Sequence, residues 1–171
     1  MSEPPLAALR ALVSAAASEP AEATVSLRDR LLASRTRKGR YGLFVDRVAR
    51  LFDLPVPETE ALLARIESDE AWGPFLVPGT AIIPVVAGPR RAGAIATMVR
   101  VAPGVTFPEH THRGVETMVV VDGGFVEAGS PVETWRGEEI TRDDGTSHAL
   151  VGLPGVPCVA AVLITGHADF A

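Results

Sequence analysis

The feature that most constrains the fold is the distribution of glycine along the chain. Only two of the sixteen glycines lie in the first 70 residues, and the other fourteen lie between residues 73 and 166. Glycine is unfavourable inside helices and frequent in tight turns. We therefore expect helices in the first part of the chain and short strands joined by turns in the second, with the change near Trp72.

Five apolar segments of strand length follow Trp72, and turns containing Gly or Pro separate them. Short strands at this spacing, without helical patterns between them, predict an antiparallel barrel or sandwich. A chain of 171 residues has room for one well-buried domain but not for two full domains. The segments are residues 81–86, 94–101, 116–121, 146–151 and 158–165.

Two helical patterns lie just before the strand region. An apolar stripe follows Pro57, which suits the first turn of a helix because its dihedral is fixed and its missing N–H is not needed there. That stripe consists of Leu62, Leu63 and Ile66. Before it, five apolar residues recur at the spacing of one helical face. They are Phe44, Val45, Val48, Leu51 and Phe52.

Further helices are expected over residues 5–17 and, after a capping-box sequence, over 26–34. The expected organisation is a helical N-terminal extension over residues 1–70 and a β-barrel over 71–171. Residues 28–50 carry eight arginines and lysines against two aspartates, although the whole chain has a net charge of -5. The overall charge disfavours general nucleic-acid binding, whereas the basic stretch fits a solvated linker or a contact with an acidic partner or a nucleic-acid backbone.

The sequence predicts neither export nor membrane insertion. No uninterrupted apolar stretch approaches the roughly 20 residues of a membrane helix. The first residues lack the positive segment that opens an export signal. The single cysteine, Cys158, excludes an internal disulfide and fits a reducing compartment, so the cytoplasm is the expected location. Its apolar surroundings favour a buried small hydrophobe over a redox sensor.

The segment PEHTHRGVE, residues 108–116, holds two of the four histidines. Alternate side chains of a strand share a face, so His110 and His112 point the same way. A glycine-containing turn can return Glu116 beside them, and His148 opens another strand after a turn. Three imidazoles and a carboxylate suit zinc, ferrous iron, nickel, copper or manganese. An H-x-H pair alone also fits surface or hydrogen-bonded core histidines.

The same alternation predicts which side chains share the face of these ligands. They should include Met118, Val120, Thr146 and Leu150, which would line a mostly apolar pocket for a small molecule. Glu109 is the nearest general-base candidate, but alternation points it away from His110. A histidine-bound metal should be lost as pH falls through about 6.5, because the ligands must be neutral.

The spacing of these residues resembles the first sequence motif of the cupin superfamily, G-x5-H-x-H-x3-E-x6-G. Every defined position matches, namely Gly104, His110, His112, Glu116 and Gly123. The resemblance implies a mainly β fold, a small antiparallel jelly-roll-like barrel, with one divalent metal ion bound inside it.

The second cupin motif, G-x5-P-x-G-x2-H-x3-N, is matched in part. Gly137, Gly145 and His148 stand in register, whereas Asp143 replaces the proline and Gly152 replaces the asparagine. Both replacements are at turn positions, so they bear on the shape of the turns more than on the ligand set.

A narrower resemblance covers residues 72–164. The segments AWGPFLVPG, MVRVAPGVTFP, PEHTHRGVETMVVVDGGFVE and SHALVGLPGVPCVAAV are similar to the cupin domain of ChrR-type anti-sigma factors. In that family the cupin is a zinc-binding regulatory domain joined to a helical domain that binds a sigma factor. The helical domain carries its own zinc site with an H-x3-C-x2-C element. This chain has no histidine before His110 and no cysteine before Cys158, so that second site is absent.

Two functions follow from the resemblance. One is a regulatory, zinc-binding protein whose helical part contacts a sigma factor or another protein. The other is a dioxygenase, because similar single cupins include iron-dependent enzymes that cleave small diketones or acetophenones. A third alternative is a barrel without metal whose helices make only a homodimer contact. Zinc is the expected ion, with iron, nickel, manganese or copper as alternatives.

Overall fold

The computed structural model describes residues 39–171, and its helices lie at the start of this range. Helix α1 spans Val45–Phe52 and helix α2 spans Val56–Arg65. Both predicted helices are confirmed, and α2 begins one residue before Pro57. The helices predicted over residues 5–17 and 26–34 lie outside the described residues.

Eleven strands follow within the described range. They are β1 (Gly73–Pro74), β2 (Thr80–Val85), β3 (Ile95–Val101), β4 (Thr106–Arg113), β5 (Glu116–Asp122), β6 (Gly124–Glu127), β7 (Glu133–Trp135), β8 (Glu139–Arg142), β9 (Ser147–Gly152), β10 (Cys158–Ile164) and β11 (His167–Phe170).

The strands form two antiparallel sheets. The first sheet has the order β1-β2-β3-β10-β5-β8, and the second has the order β11-β4-β9-β6-β7. The five strands predicted from apolar segments are confirmed as β2, β3, β5, β9 and β10. The segment around His167 pairs with β4 as strand β11, and the His167 side chain is exposed.

The centre of the first sheet, at β10 and β5, is buried on both faces. Every residue of β10 is buried, and its side chains alternate between two clusters. Val159, Ala161 and Leu163 pack with the helices, whereas Ala160 and Val162 pack between the two sheets. Because both faces of β10 are buried, its sequence is a continuous apolar run and does not alternate between apolar and polar residues.

The predicted face of α1 supplies the helical side of this packing. Val48 and Phe52 have 0% exposure and join one buried cluster with residues of the first sheet. Two arginines of the basic stretch reinforce the contact: Arg40 pairs with Asp122, and Arg47 bonds to the barrel at Gly137 and Glu139. These basic side chains therefore bind within the same compact unit.

The helices of residues 39–171 include none that is long and apolar enough to cross a membrane.

Candidate metal centre

The three histidines and the glutamate predicted as ligands lie together inside the barrel. One potential ligand atom from each of His110, His112, Glu116 and His148 lies within 4.8 Å of the others. All four residues are buried, from 0% exposure for His112 to 8% for His148. This group can hold a metal ion.

Local backbone features bring the four side chains together. His110 and His148 are directly opposite each other on β4 and β9, and the register of this pair shifts between Phe107 and His110. The shift lets Phe107, His110 and His112 all face inward, although 107 and 110 would face opposite ways on a regular strand. Gly114, with a φ of 125°, forms the turn that returns Glu116 to the same place.

Hydrogen bonds assign the ring protons of two histidines. Nδ1 of His110 lies 2.9 Å from the carbonyl oxygen of Pro108, which can only accept, so Nδ1 carries the proton. The Thr146 hydroxyl donates to the carbonyl oxygen of Asp143 and accepts from Nδ1 of His112 at 3.0 Å. Both rings therefore present the lone pair of Nε2 toward the centre of the cluster.

His148 completes the arrangement. Its Nδ1 lies 3.5 Å from Oε1 of Glu127, and its Nε2 lies 3.0 Å from Nε2 of His110. Because Nε2 of His110 is an acceptor, this contact requires the ring proton of His148 on Nε2, and Nδ1 of His148 has no hydrogen-bond partner among the described residues. Binding of a cation at Nε2 of His148 would move that proton to Nδ1. Oε2 of Glu116 lies 3.5 Å from Nε2 of His112 and 3.7 Å from Nε2 of His148.

One atom tests whether a metal ion fits this group. Nε2 of His112 is completely buried and has no hydrogen-bond partner among the described residues. A buried polar atom without a partner is costly, and a bound cation would satisfy it. The donor set of three neutral imidazoles and one carboxylate is also one that divalent transition metals accept.

Burial keeps the imidazoles neutral. It lowers the pKa of all three histidines, to about 4 for His112 and to about 2 for His148, where the charge of Arg142 lowers it further. Burial also raises the pKa of Glu116 to about 7, against the opposing effect of Arg142. At neutral pH the histidines are therefore in the form that binds metal.

An apolar cavity of about 320 Å³ adjoins the cluster. His110 and Glu116 form part of its wall, and two phenylalanine rings contact His110 while a third packs behind them. Phe170 stacks on His110 with ring centroids 5.2 Å apart, Phe107 meets it edge-on at 5.4 Å, and Phe75 stacks on Phe107. The cavity suits a small, mostly apolar molecule that could reach the cluster.

Other predicted site residues are distributed around this cavity. Met118 and Leu150 line it, whereas Val120 lies in the buried cluster between the sheets and is not among the lining residues. Thr146 precedes β9 and contacts His112 with its hydroxyl. Glu109 is exposed, as alternation predicts.

Cys158 also lines the cavity and is buried. Burial raises the pKa of its thiol to about 12, so the thiol is protonated at neutral pH. This agrees with its interpretation as a small buried hydrophobe.

Both departures from the second cupin motif are expected at turns, but only Asp143 lies in a turn, because Gly152 is the last residue of β9 and pairs with Phe125. The turn before β9 is closed by hydrogen bonds from Thr146 to the carbonyl oxygen of Asp143, which stands in place of proline. Gly152 stands in place of asparagine, where a Cβ atom would lie 2.5 Å from the carbonyl oxygen of Ala102. Neither departure moves His148 out of the cluster.

Sequence reasoning missed Arg142 and Glu127. Nη1 of Arg142 donates to Oε2 of Glu116 at 3.2 Å, and its Nε donates to Oε1 of Glu127 at 2.9 Å. Alternation from Ile140 would have placed Arg142 on the inner face of β8, but only the sheet order shows that β8 pairs with β5.

The family model of the ChrR cupin-like domain matches residues 62–165, which is more than half of the chain. This chain belongs to the ChrR cupin-like domain family. The match starts within α2, so it includes part of the helical segment that packs on the barrel. Comparison with curated proteins gave no match.

Solved structures with a similar fold include relatives of this family and enzymes. In the complex of Rhodobacter sphaeroides SigE with the anti-sigma ChrR, the matched chain is 21% identical with a TM-score of 0.53. The match covers 86% of this chain and 67% of that chain. The acetylacetone dioxygenase from Acinetobacter johnsonii is 16% identical with a TM-score of 0.52, covering 60% of this chain and 73% of that one.

An RmlC-like cupin from Ralstonia eutropha JMP134 is 18% identical with a TM-score of 0.51, and the match covers 58% of this chain and 65% of that one. The chain spans less than two thirds of this protein and of a second Ralstonia eutropha protein with a cupin-like fold. Together these likenesses confirm the predicted mainly β, cupin-like fold of this ChrR cupin-like chain.

Proposed function

We propose that this protein is a regulatory cupin that binds one divalent metal ion, zinc in the first place, at His110, His112, Glu116 and His148. The observation that carries the proposal is Nε2 of His112, which is buried and without a partner among the described residues. The other three donors lie within 4.8 Å of it and of one another.

Each ligand would have a defined part in holding the ion. The carbonyl oxygen of Pro108 and the hydroxyl of Thr146 keep the protons of His110 and His112 on Nδ1, so that Nε2 is free to bind. When bound, a divalent cation supplies a localised positive charge and Lewis acidity at the wall of the apolar cavity. A small molecule with an oxygen donor and an apolar body would suit this position.

Family membership and the likeness to the anti-sigma ChrR support a regulatory role. We propose a sigma factor or another protein as the partner, contacted through the helical part of residues 1–70. The small molecule in the cavity would then act as the signal. A cytoplasmic location and a homodimer belong to the same proposal.

Metal analysis of untagged, anaerobically purified protein tests the binding function. We expect a near-stoichiometric divalent metal in the wild type and its loss in His112→Ala. The matched control is His167→Ala, because His167 is exposed on β11 and outside the cluster. Absence of metal from the wild type, or equal metal in both variants, would sink the proposal.

A second test addresses regulation. The metal-loaded full chain would be titrated against the sigma factors of its own organism by calorimetry. Saturable binding that changes on chelation of the metal is expected. Binding to none of the sigma factors would remove the anti-sigma role and leave the metal site unaffected.

The alternative function is a dioxygenase that acts on a small diketone or aromatic ketone, with iron as the metal. The observation in its favour is the cavity, whose polar or titratable lining side chains in the described residues are only Thr97, His110, Glu116 and the neutral thiol of Cys158. Such a wall can bind and orient an apolar ketone but offers no general base besides the metal ligands.

Oxygen uptake distinguishes the two functions. Protein reconstituted with ferrous iron would be mixed with a small diketone or an acetophenone under air, and oxygen consumption followed with an electrode. Catalytic uptake that is absent from His112→Ala would favour the enzyme. Zinc as the native metal, with no uptake by the iron form, would favour regulation.

A further inference from the structure

Arg142 connects two side chains of the cluster, and metal binding as described above gives it no role. It lies opposite Glu116 in the pairing of β8 with β5. Its side chain is only 10% exposed and lies over the ring of Phe125, 5.9 Å from the ring centroid. A permanently charged group in this position is expensive unless it is paired.

Two carboxylates provide the pairing. Nη1 of Arg142 donates to Glu116, while Nε and Nη2 both donate to Oε1 of Glu127. The planar guanidinium can reach both acids at once because its donors have a fixed geometry. Arg142 thus links the half-exposed Glu127, whose side chain is 38% exposed, to the fully enclosed Glu116.

The bond to Glu116 involves the oxygen that faces the histidines. Oε2 accepts from Arg142 at 3.2 Å and lies 3.5 Å from Nε2 of His112 and 3.7 Å from Nε2 of His148. A carboxylate oxygen has two lone pairs, so one can accept from Arg142 while the other points to the centre of the cluster. Oε1 of Glu127, held by Arg142, lies 3.5 Å from Nδ1 of His148 but makes no hydrogen bond to it.

We propose that Arg142 is a positioning residue of the metal centre. It holds the Glu116 carboxylate in the orientation that a divalent cation requires, and Glu127 anchors Arg142 in that position. This inference rests on the proposed metal-binding function.

A positioning role and a purely electrostatic role of Arg142 predict opposite changes in metal affinity when Arg142 is removed. The positive charge of Arg142 repels a cation, so if only its charge mattered, its removal would tighten metal binding. If Arg142 positions the ligands, its removal weakens binding and changes the coordination of the metal.

Cobalt(II) is a suitable probe because its visible absorption reports the number and geometry of its ligands. The full-length wild type, Arg142→Met and Arg142→Lys would be titrated with cobalt, with Arg100→Met as the control. Arg100 makes an ion pair with the exposed Asp69 and packs over Trp72, but it does not contact the cluster. Circular dichroism would verify that each variant folds.

We expect Arg142→Met to bind cobalt about 10- to 100-fold more weakly, with an altered absorption spectrum. Arg142→Lys, which keeps a donor for Glu116, should recover the wild-type spectrum, and Arg100→Met should match the wild type throughout. Equal or tighter cobalt binding by Arg142→Met, with an unchanged spectrum, would overturn the positioning role.

A second variant keeps the inference testable if Arg142→Met does not fold. Glu127→Gln removes the charge that anchors Arg142 and thereby loosens the hold of Arg142 on Glu116. Weaker cobalt binding with a changed spectrum is expected, and wild-type behaviour would count against the inference. A wild type that binds no cobalt would overturn the metal-binding function, and this inference with it.

Discussion

At the scale of single residues, the cluster depends on where protons reside. The rings of His110 and His112 each donate from Nδ1 to a neighbouring oxygen, and burial keeps them neutral. Glu116 behaves in the opposite way, because burial raises its pKa to about 7. The pH dependence of metal binding should therefore follow the protonation of the Glu116 carboxyl group.

Metal affinity is predicted to fall as pH decreases below about 7. Glu116 is increasingly protonated there in the metal-free protein, and a cation must displace that proton, so affinity should drop about tenfold per pH unit. The pKa values of His112 and His148, about 4 and about 2, keep both rings neutral over this range. Titrations with cobalt between pH 8 and 5.5 would measure the slope.

Glu116→Gln is the control for this pH dependence. It should bind metal more weakly but with little change in affinity between pH 8 and 5.5. If its slope equals that of the wild type, a histidine with the ordinary pKa near 6.5 controls binding, as the sequence alone predicted.

The hydroxyl of Thr146 is predicted to matter for the metal although it would not touch it. Thr146→Val removes the acceptor for Nδ1–H of His112, which leaves that ring free to change orientation or tautomer. We expect metal affinity to fall about 10- to 100-fold. Thr111→Val on β4 is the matched control, because Thr111 faces outward and bonds to Ser147. Competition with a colorimetric chelator would compare the two, and equal affinities would contradict the prediction.

At the scale of elements, α1 is part of the core of the barrel. Its buried face lies in the same cluster as residues of β2, β3, β5 and β10. A helix of only eight residues has little stability by itself, so this packing must be what maintains it. Truncation of its buried side chains should then destabilise the whole unit.

Phe52→Ala is predicted to lower the free energy of unfolding by about 3–5 kcal/mol, because Phe52 is completely buried between α1 and the first sheet. Leu43→Ala, at a residue that is 64% exposed, should change it by no more than about 0.5 kcal/mol. Chemical denaturation followed by tryptophan fluorescence would measure both. A small effect at Phe52 would mean that the helix folds independently of the sheet.

At the scale of the whole molecule, helices and barrel share one buried cluster across residue 70. The division into 1–70 and 71–171 marks a change in sequence pattern and stays a prediction for domain organisation. Because the buried cluster continues across residue 70, a fragment that starts after this residue loses part of its core. Residues such as Ile83, Met98 and Val119 have their outer face covered by the helices.

A fragment of residues 71–171 is predicted to aggregate or to unfold at a lower temperature than a fragment of 39–171. The shorter fragment would expose the helix-covered face of the first sheet, and exposed apolar patches promote association. Size-exclusion chromatography and thermal denaturation would compare the two with the full chain. Equal stability of both fragments would show that the barrel folds without α1 and α2.

Much of the fold and of the candidate site could be predicted from the sequence. Strand alternation and one turn, which are local, bring His110, His112 and Glu116 together, whereas His148 joins them through the pairing of β4 with β9. Strand β4 had no apolar run to mark it, because it carries histidines on its inner face. Its bulge, and the pairing of the His167 segment as β11, depend on the neighbouring strand and have no local signal.

The sequence by itself determined the ligand types, the helical faces and the alternation of the strands, because these depend on neighbours within a few residues. Only the tertiary structure decided which side chains surround the ligands. Arg142 meets Glu116 across 26 residues and Glu127 across 15, and Thr146 meets His112 across 34. Contacts of this kind follow from the order of the strands in the sheets and from burial. The same packing determines the protonation states of the four clustered side chains and forms the cavity beside them.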